Sequence, residues 1–129
     1  MELQVGMEFK GEVKVTNELL AKSVGSGEVS VFATPMMIAL IEKTASEGVK
    51  PYLEEGSTTV GTLVNVSHDA PTPEGMTATA VCKVKEIDGR RIAFDVVCYD
   101  DKTEIGKGTH ERFIVKLDKF NQKAMSKAE

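Results

Sequence analysis

Hydrophobic and polar residues alternate along this chain with two different periods. From Thr34 to Glu47 the period is helical. Met36, Met37, Ile38, Ala39, Leu40 and Ile41 occupy most of a helix circumference, and Thr34 followed by Pro35 is a start signal in which a capping hydroxyl precedes a residue suited to the first turn. Gly48 is the expected stop. A helix apolar nearly all round is expected to be enclosed by protein, with Lys43-Thr-Ala-Ser-Glu47 emerging toward solvent.

Downstream the period drops to two, over segments 57–68, 76–87, 91–99 and 105–117. Val60, Thr62, Val64, Val66 and His68 should share one face of the first. Ala78, Ala80, Cys82 and Val84 should share one of the second, and Ile92, Phe94, Val96 and Cys98 one of the third. Asp88-Gly89 reads as a two-residue hairpin turn, and Asp100-Asp-Lys-Thr as the turn into the last strand. Upstream, residues 8–16 read as a strand, Thr16 as the cap of a short helix and Val24-Gly-Ser-Gly-Glu28 as a flexible link. The expected fold is a single α+β domain over residues 1–129, an antiparallel sheet wrapped around one long helix. Past Lys119 the tail should form a short polar helix or fray, with roughly the last eight residues loose. One sheet and one helix leave a strand edge open, so a homodimer or higher homo-oligomer is expected.

Composition narrows the function classes. The net charge of −4, with no basic block, argues against nucleic acid as a partner. No apolar run approaches the roughly 20 residues that span a bilayer, and Met-Glu-Leu-Gln-Val is not a signal-peptide start, so no membrane partner and a cytoplasmic location are expected. Cys82 and Cys98 fall at apolar strand positions and read as reduced core residues. The cysteines and histidines lack ligand spacing, so no metal site is expected.

One acid interrupts the helical apolar run. Glu42 must be paired, reach the surface or do chemistry, and the functional reading makes it a general base or nucleophile. His68 should face the helix, where an imidazole near a carboxylate supports proton transfer, although a lone core histidine is the commoner case. The Thr34 hydroxyl is at simplest an N-cap and can also face a ligand. Gly61 weakens its strand unless close packing or a ligand requires it. His110 and Arg112 share a face of the last strand, a placement that is usually solvated or structural, though an arginine there suits an anion.

Several stretches together resemble the fluoroacetyl-CoA thioesterase group of the hotdog-fold superfamily. They are Phe32-Ala-Thr-Pro, the helical Glu42, Pro51-Tyr-Leu-Glu-Glu-Gly, Gly61-Thr, Val66-Ser-His68, Ala70-Pro-Thr-Pro-Glu-Gly, Glu86-Ile-Asp-Gly-Arg-Arg, Glu104-Ile-Gly-Lys-Gly-Thr-His-Glu-Arg112 and Lys119-Phe-Asn. The resemblance implies a hotdog dimer that binds acyl-CoA near the subunit interface and hydrolyses a short-chain thioester to carboxylate and CoA, with no cofactor beyond the CoA of the substrate. It implies Thr34, Glu42 and His68 as catalytic residues, Gly61 near the thioester carbonyl and Arg112 near the substrate. The family prototype carries phenylalanines in a lid ahead of the threonine. Here Val24-Gly-Ser-Gly-Glu-Val-Ser-Val has no aromatic before Phe32, so the fluoroacetyl preference is not implied. The other functions open to such a fold are a hydratase or dehydratase of acyl-CoA double bonds and a non-catalytic acyl-CoA binder.

Overall fold

The computed structural model describes residues 2–129. Strand β1 (Glu8–Lys14) is followed by a 3-10 turn at Asn17–Leu19 and a single helical turn, α1 (Ala21–Val24). The long helix α2 (Thr34–Val49) comes next. Strands β2 (Ser57–Val66), β3 (Thr77–Asp88), β4 (Arg91–Tyr99) and β5 (Glu104–Lys116) then complete the sheet, and α3 (Leu117–Ser126) closes the chain. All neighbouring strands are antiparallel, in the order β1-β3-β4-β5-β2, so β1 and β2 form the two edges. The sheet curls around α2, the hotdog arrangement that the family resemblance implies.

The alternation read from β3 and β4 holds. Ala78, Ala80, Cys82 and Val84 from one strand and Ile92, Phe94, Val96 and Cys98 from the other are all buried in one cluster with Met37, Leu40 and Ile41 of α2. Met37 and Ile41 are fully buried, each stabilising the fold by about 1.5–3 kcal/mol relative to exposure. Small residues on β3 let the helix lie close. Both cysteines are free, and burial pushes their thiols up to about 12, where they are inert.

Several local expectations are corrected. α2 buries a stripe at helical spacing, Met37, Leu40, Ile41, Thr44, Ala45 and Val49, while Pro35, Ala39, Lys43 and Glu47 face outward. Within a single chain it is therefore covered on one side. Thr44 and Ala45 do not emerge; the Thr44 hydroxyl donates to the Leu40 carbonyl at 2.7 Å. Gly48 does not end the helix, which continues to Val49. Its missing side chain instead admits the Phe9 ring, which a Cβ there would meet. Thr16 holds the N-cap position of the 3-10 turn, but its hydroxyl donates to Glu18 at 3.0 Å instead of accepting from a backbone N–H. The β3–β4 turn is centred on Gly89-Arg90, one residue later than expected, because Asp88 pairs with Arg91.

The largest correction concerns β2. Its pairing with β5 shifts between Gly61 and Leu63, where Thr62 is the extra residue of a β-bulge. Before the bulge Thr59 and Gly61 face the helix and Val60 turns outward opposite Phe113; after it Val64 faces inward opposite His110. One inserted residue reverses the parity, so Val60 and Thr62 do not share a face with Val64. The expected flexible link is anchored at its base, where Ala21 N–H donates to the Val31 carbonyl and Lys22 N–H to the Val29 carbonyl. No helix among the described residues is long and apolar enough to cross a membrane.

Candidate active site

The N-terminus of α2 carries the first cluster. Ala33, with extended backbone, holds the capping position, which makes Thr34 the first helical residue rather than the cap. Its hydroxyl is thereby released from the helix backbone and lies 2.7 Å from Nδ1 of His68. His68 stands two residues past the end of β2, in a segment held against β5 by Ser67 N–H to the Lys107 carbonyl at 2.8 Å and Asp69 N–H to the Ile105 carbonyl at 2.7 Å. The two glycines of Gly106-Lys-Gly108 permit that approach, since a Cβ at either would strike the backbone of residues 65–67.

The His68 ring meets Phe32 edge-on, with centroids 6.4 Å apart. Burial lowers its pKa below the ordinary value against a smaller opposing effect of Asp69, so the imidazole is neutral at pH 7. Its Nε2 is buried and finds no hydrogen-bond partner among the described residues. With the proton on Nδ1, donated to Thr34, Nε2 carries a bare lone pair. Thr34 and His68 line an open cavity of about 300 Å³ together with Ala21, Ser26, Gly27 and Phe32.

The second cluster lies farther along α2. Glu42 does not sit in an apolar wall: 43 % of its side chain is exposed, and Oε2 is 3.6 Å from Nη1 of Arg112. The extra turn of β2 parity makes this possible by bringing Gly61 opposite Arg112 on the inner face. A Cβ on Gly61 would overlap the Glu42 carboxylate and stand 3.3 Å from Arg112 Nη1. Arg112 is buried, contrary to the solvated placement usual for such strand residues. Its Nε donates to the Thr59 hydroxyl at 2.8 Å, its Nη2 to the Thr59 carbonyl at 2.9 Å and its Nη1 to His110 Nε2 at 3.3 Å. Desolvation lowers the pKa of Arg112 and the Glu42 carboxylate opposes that; the guanidinium stays charged.

The structure thus joins Thr34 to His68, and Glu42 to Gly61 and Arg112, as two clusters within one chain. Glu42 lies eight residue steps along α2 from Thr34, a rise of about 12 Å and a rotation of about 80°. Glu42 does not line the cavity beside His68. Thr59 is not singled out by the sequence, and His110 only as half of a surface-like pair; Thr59 stands inward because of the register at the bulge, whereas His110 does so by the ordinary alternation of β5, opposite Phe94 of β4. Among the described residues no group of three or more His, Cys, Asp or Glu side chains is placed to hold a metal.

A model of the fluoroacetyl-CoA-specific thioesterase family matches residues 15–118. The fluoroacetyl-CoA thioesterase of Streptantibioticus cattleyicolor is 42 % identical over 97 residues, covering 75 % of this chain and 70 % of that protein. A solved structure of a fluoroacetyl-CoA thioesterase superimposes with a TM-score of 0.93 at 34 % identity, covering 98 % of each chain. A Thermus thermophilus member of the thioesterase superfamily gives a TM-score of 0.85 at 28 % identity, covering 98 % of this chain and 97 % of that one.

Proposed function

The chain belongs to the fluoroacetyl-CoA-specific thioesterase family, and on that premise we propose that it hydrolyses a short-chain acyl-CoA, consuming one water to release a carboxylate and free CoA. The observation that carries the reading is the Thr34–His68 pair at 2.7 Å, beside an open cavity and with the second imidazole nitrogen buried and unpaired. A neutral histidine in that state takes on Nε2 the proton that the attacking water gives up, directly or by way of the carboxylate, and gives it to the departing thiolate. Thr34, bonded to Nδ1, holds the ring and its tautomer, and the positive end of α2 at Thr34 favours negative charge developing nearby.

Glu42 is the carboxylate of the reaction. Two routes use it: attack on the thioester carbon, or removal of a proton from the attacking water. Rapid-quench mass spectrometry separates them by the presence or absence of an acyl adduct on Glu42. Gly61 leaves room for the thioester carbonyl against the sheet, and Arg112 holds positive charge beside it.

The active unit is a homodimer formed across the β2 edge, adjacent to Gly61 and Glu42. In that dimer the Thr34–His68 pair of one copy and the Glu42 cluster of the other act on one thioester. The separation of the two clusters along α2 supports this arrangement. The fluoroacetyl preference is not carried over, because residues 24–31 contain no aromatic side chain and the cavity wall at Ala21, Ser26 and Gly27 is small. Two free buried thiols and a CoA-ester substrate suit a reducing compartment, the cytoplasm.

The test is release of free thiol from straight-chain acyl-CoAs, acetyl to hexanoyl. Glu42→Gln and His68→Gln should each lower kcat/KM by about 100-fold or more, and Thr34→Ala by about 10-fold. Absence of thiol release from every ester, or wild-type turnover in Glu42→Gln, overturns the proposal.

A further inference from the structure

His110 is a fully buried imidazole in a position where a branched aliphatic would fill the space with no polar atoms to satisfy. Its ring stacks on Phe94, with centroids 6.0 Å apart and planes at 23°. Nδ1 lies 2.8 Å from the Leu63 carbonyl, and because a carbonyl only accepts, Nδ1 carries the proton. Nε2 is therefore a lone pair, and the Arg112 Nη1–H directed at it from 3.3 Å is donated to it. Leu63 is the residue at which pairing resumes after the β2 bulge, so the bulge, the imidazole and the guanidinium form one hydrogen-bonded chain.

That chain decides where Arg112 points. Thr59 takes Nε and Nη2, and these bonds alone leave the Nη1 side of the fork free to tilt toward or away from the helix. The acceptor on His110 fixes that tilt and leaves Nη1 3.6 Å from Glu42 Oε2. We propose that His110 is a positioning residue for the reaction, acting through Arg112 to hold the Glu42 carboxylate at the angle at which it attacks or takes a proton. The inference rests on the assignment of Glu42 as the reacting carboxylate. It adds a requirement for an acceptor at the Nε2 position, as distinct from a filled core at residue 110.

His110→Phe keeps the ring and the stack on Phe94 and removes the acceptor, whereas His110→Gln restores an acceptor without the ring. Both are compared with wild type at equal folded fraction, measured by circular dichroism and thermal unfolding. His110→Phe should lose about 30-fold in kcat with KM for acyl-CoA within about 2-fold of wild type, and His110→Gln should recover kcat to within about 5-fold. Wild-type kcat in His110→Phe overturns the proposal. So does equal loss in both variants, or a loss expressed in KM, since either is what a purely structural residue produces. If the wild-type chain releases no thiol from any acyl-CoA, the hydrolase assignment fails, and His110 is judged by the crystal structure of His110→Phe. There Nη1 should have moved more than about 4 Å from Glu42, beyond ion-pair range, and a retained pair overturns the proposal.

Discussion

Gly61→Ala separates activity from stability at this site. The added Cβ would overlap the Glu42 carboxylate, and an ordinary contact requires that carboxylate to retreat by about 1 Å, a misplacement that can cost about 100-fold in rate. That is about 2.7 kcal/mol of barrier. The fold loses much less. Gly61 does not have a positive φ, so alanine is accommodated by the backbone. The atom that must move is the end of a flexible side chain that is 43 % exposed, and Arg112 keeps its bonds to Thr59 and His110 when it does. Restricting the unfolded chain offsets part of the cost by about 0.4–1 kcal/mol. The expected result is a change in stability within about 1 kcal/mol, a Tm shift of about 4 °C or less, with kcat/KM down about 100-fold. Thiol release read with a chromogenic thiol reagent measures the rate, and Cys82 and Cys98 stay silent in the folded protein because they are buried. Wild-type kcat/KM in a folded Gly61→Ala protein refutes the placement of Glu42 at the reacting bond. An activity loss matched by a loss of folded protein refutes the claim that Gly61 serves the site.

If each active site draws on two copies, mixing Glu42→Gln with His68→Gln chains should restore about one quarter of wild-type activity, since half the dimers are mixed and each holds one intact site of two; no recovery places all the reacting groups in one chain. Stability should fall as pH drops below about 6.5. His68 and His110 both have folded pKa values below the ordinary one, so in that window the unfolded chain binds protons that the folded chain does not, at up to about 1.4 kcal/mol per pH unit for each group. Denaturant midpoints at pH 7, 6 and 5 measure this, and a flat profile contradicts the neutral burial of both rings. Gly48→Ala should destabilise by about 1–2 kcal/mol, because displacing the Phe9 ring outweighs the roughly 1 kcal/mol that alanine gains over glycine in a helix; a rise in Tm would show that Phe9 yields freely.

Much of the scaffold is legible from residue order alone. The strict alternation in β3 and β4 identifies the inner face, because every second side chain of an extended strand points the same way whatever pairs with it. Thr34-Pro35 marks the start of α2 within one residue, since proline constrains the backbone locally. Glu42 and Gly61 stand out because an acid in an apolar helix and a glycine in a strand are anomalies of local pattern, whereas Thr34, His68 and Arg112 take their place among the candidates from the family resemblance.

What those residues do to one another depends on contacts distant in sequence. The bulge at Thr62 arises from the register of β2 against β5, and that register alone turns Thr59 and Gly61 toward the helix. Gly48 looks like a helix stop until Phe9 of β1 is packed against it. Glu42 looks like a buried acid until the curled sheet leaves one side of α2 uncovered and supplies Arg112. The chemical types of the site and the order of its elements follow from the sequence, because propensity and periodicity act over a few residues. The partners of each polar group were decided by the tertiary structure, because a hydrogen bond or ion pair depends on an ångström-scale approach that only sheet register and helix packing determine.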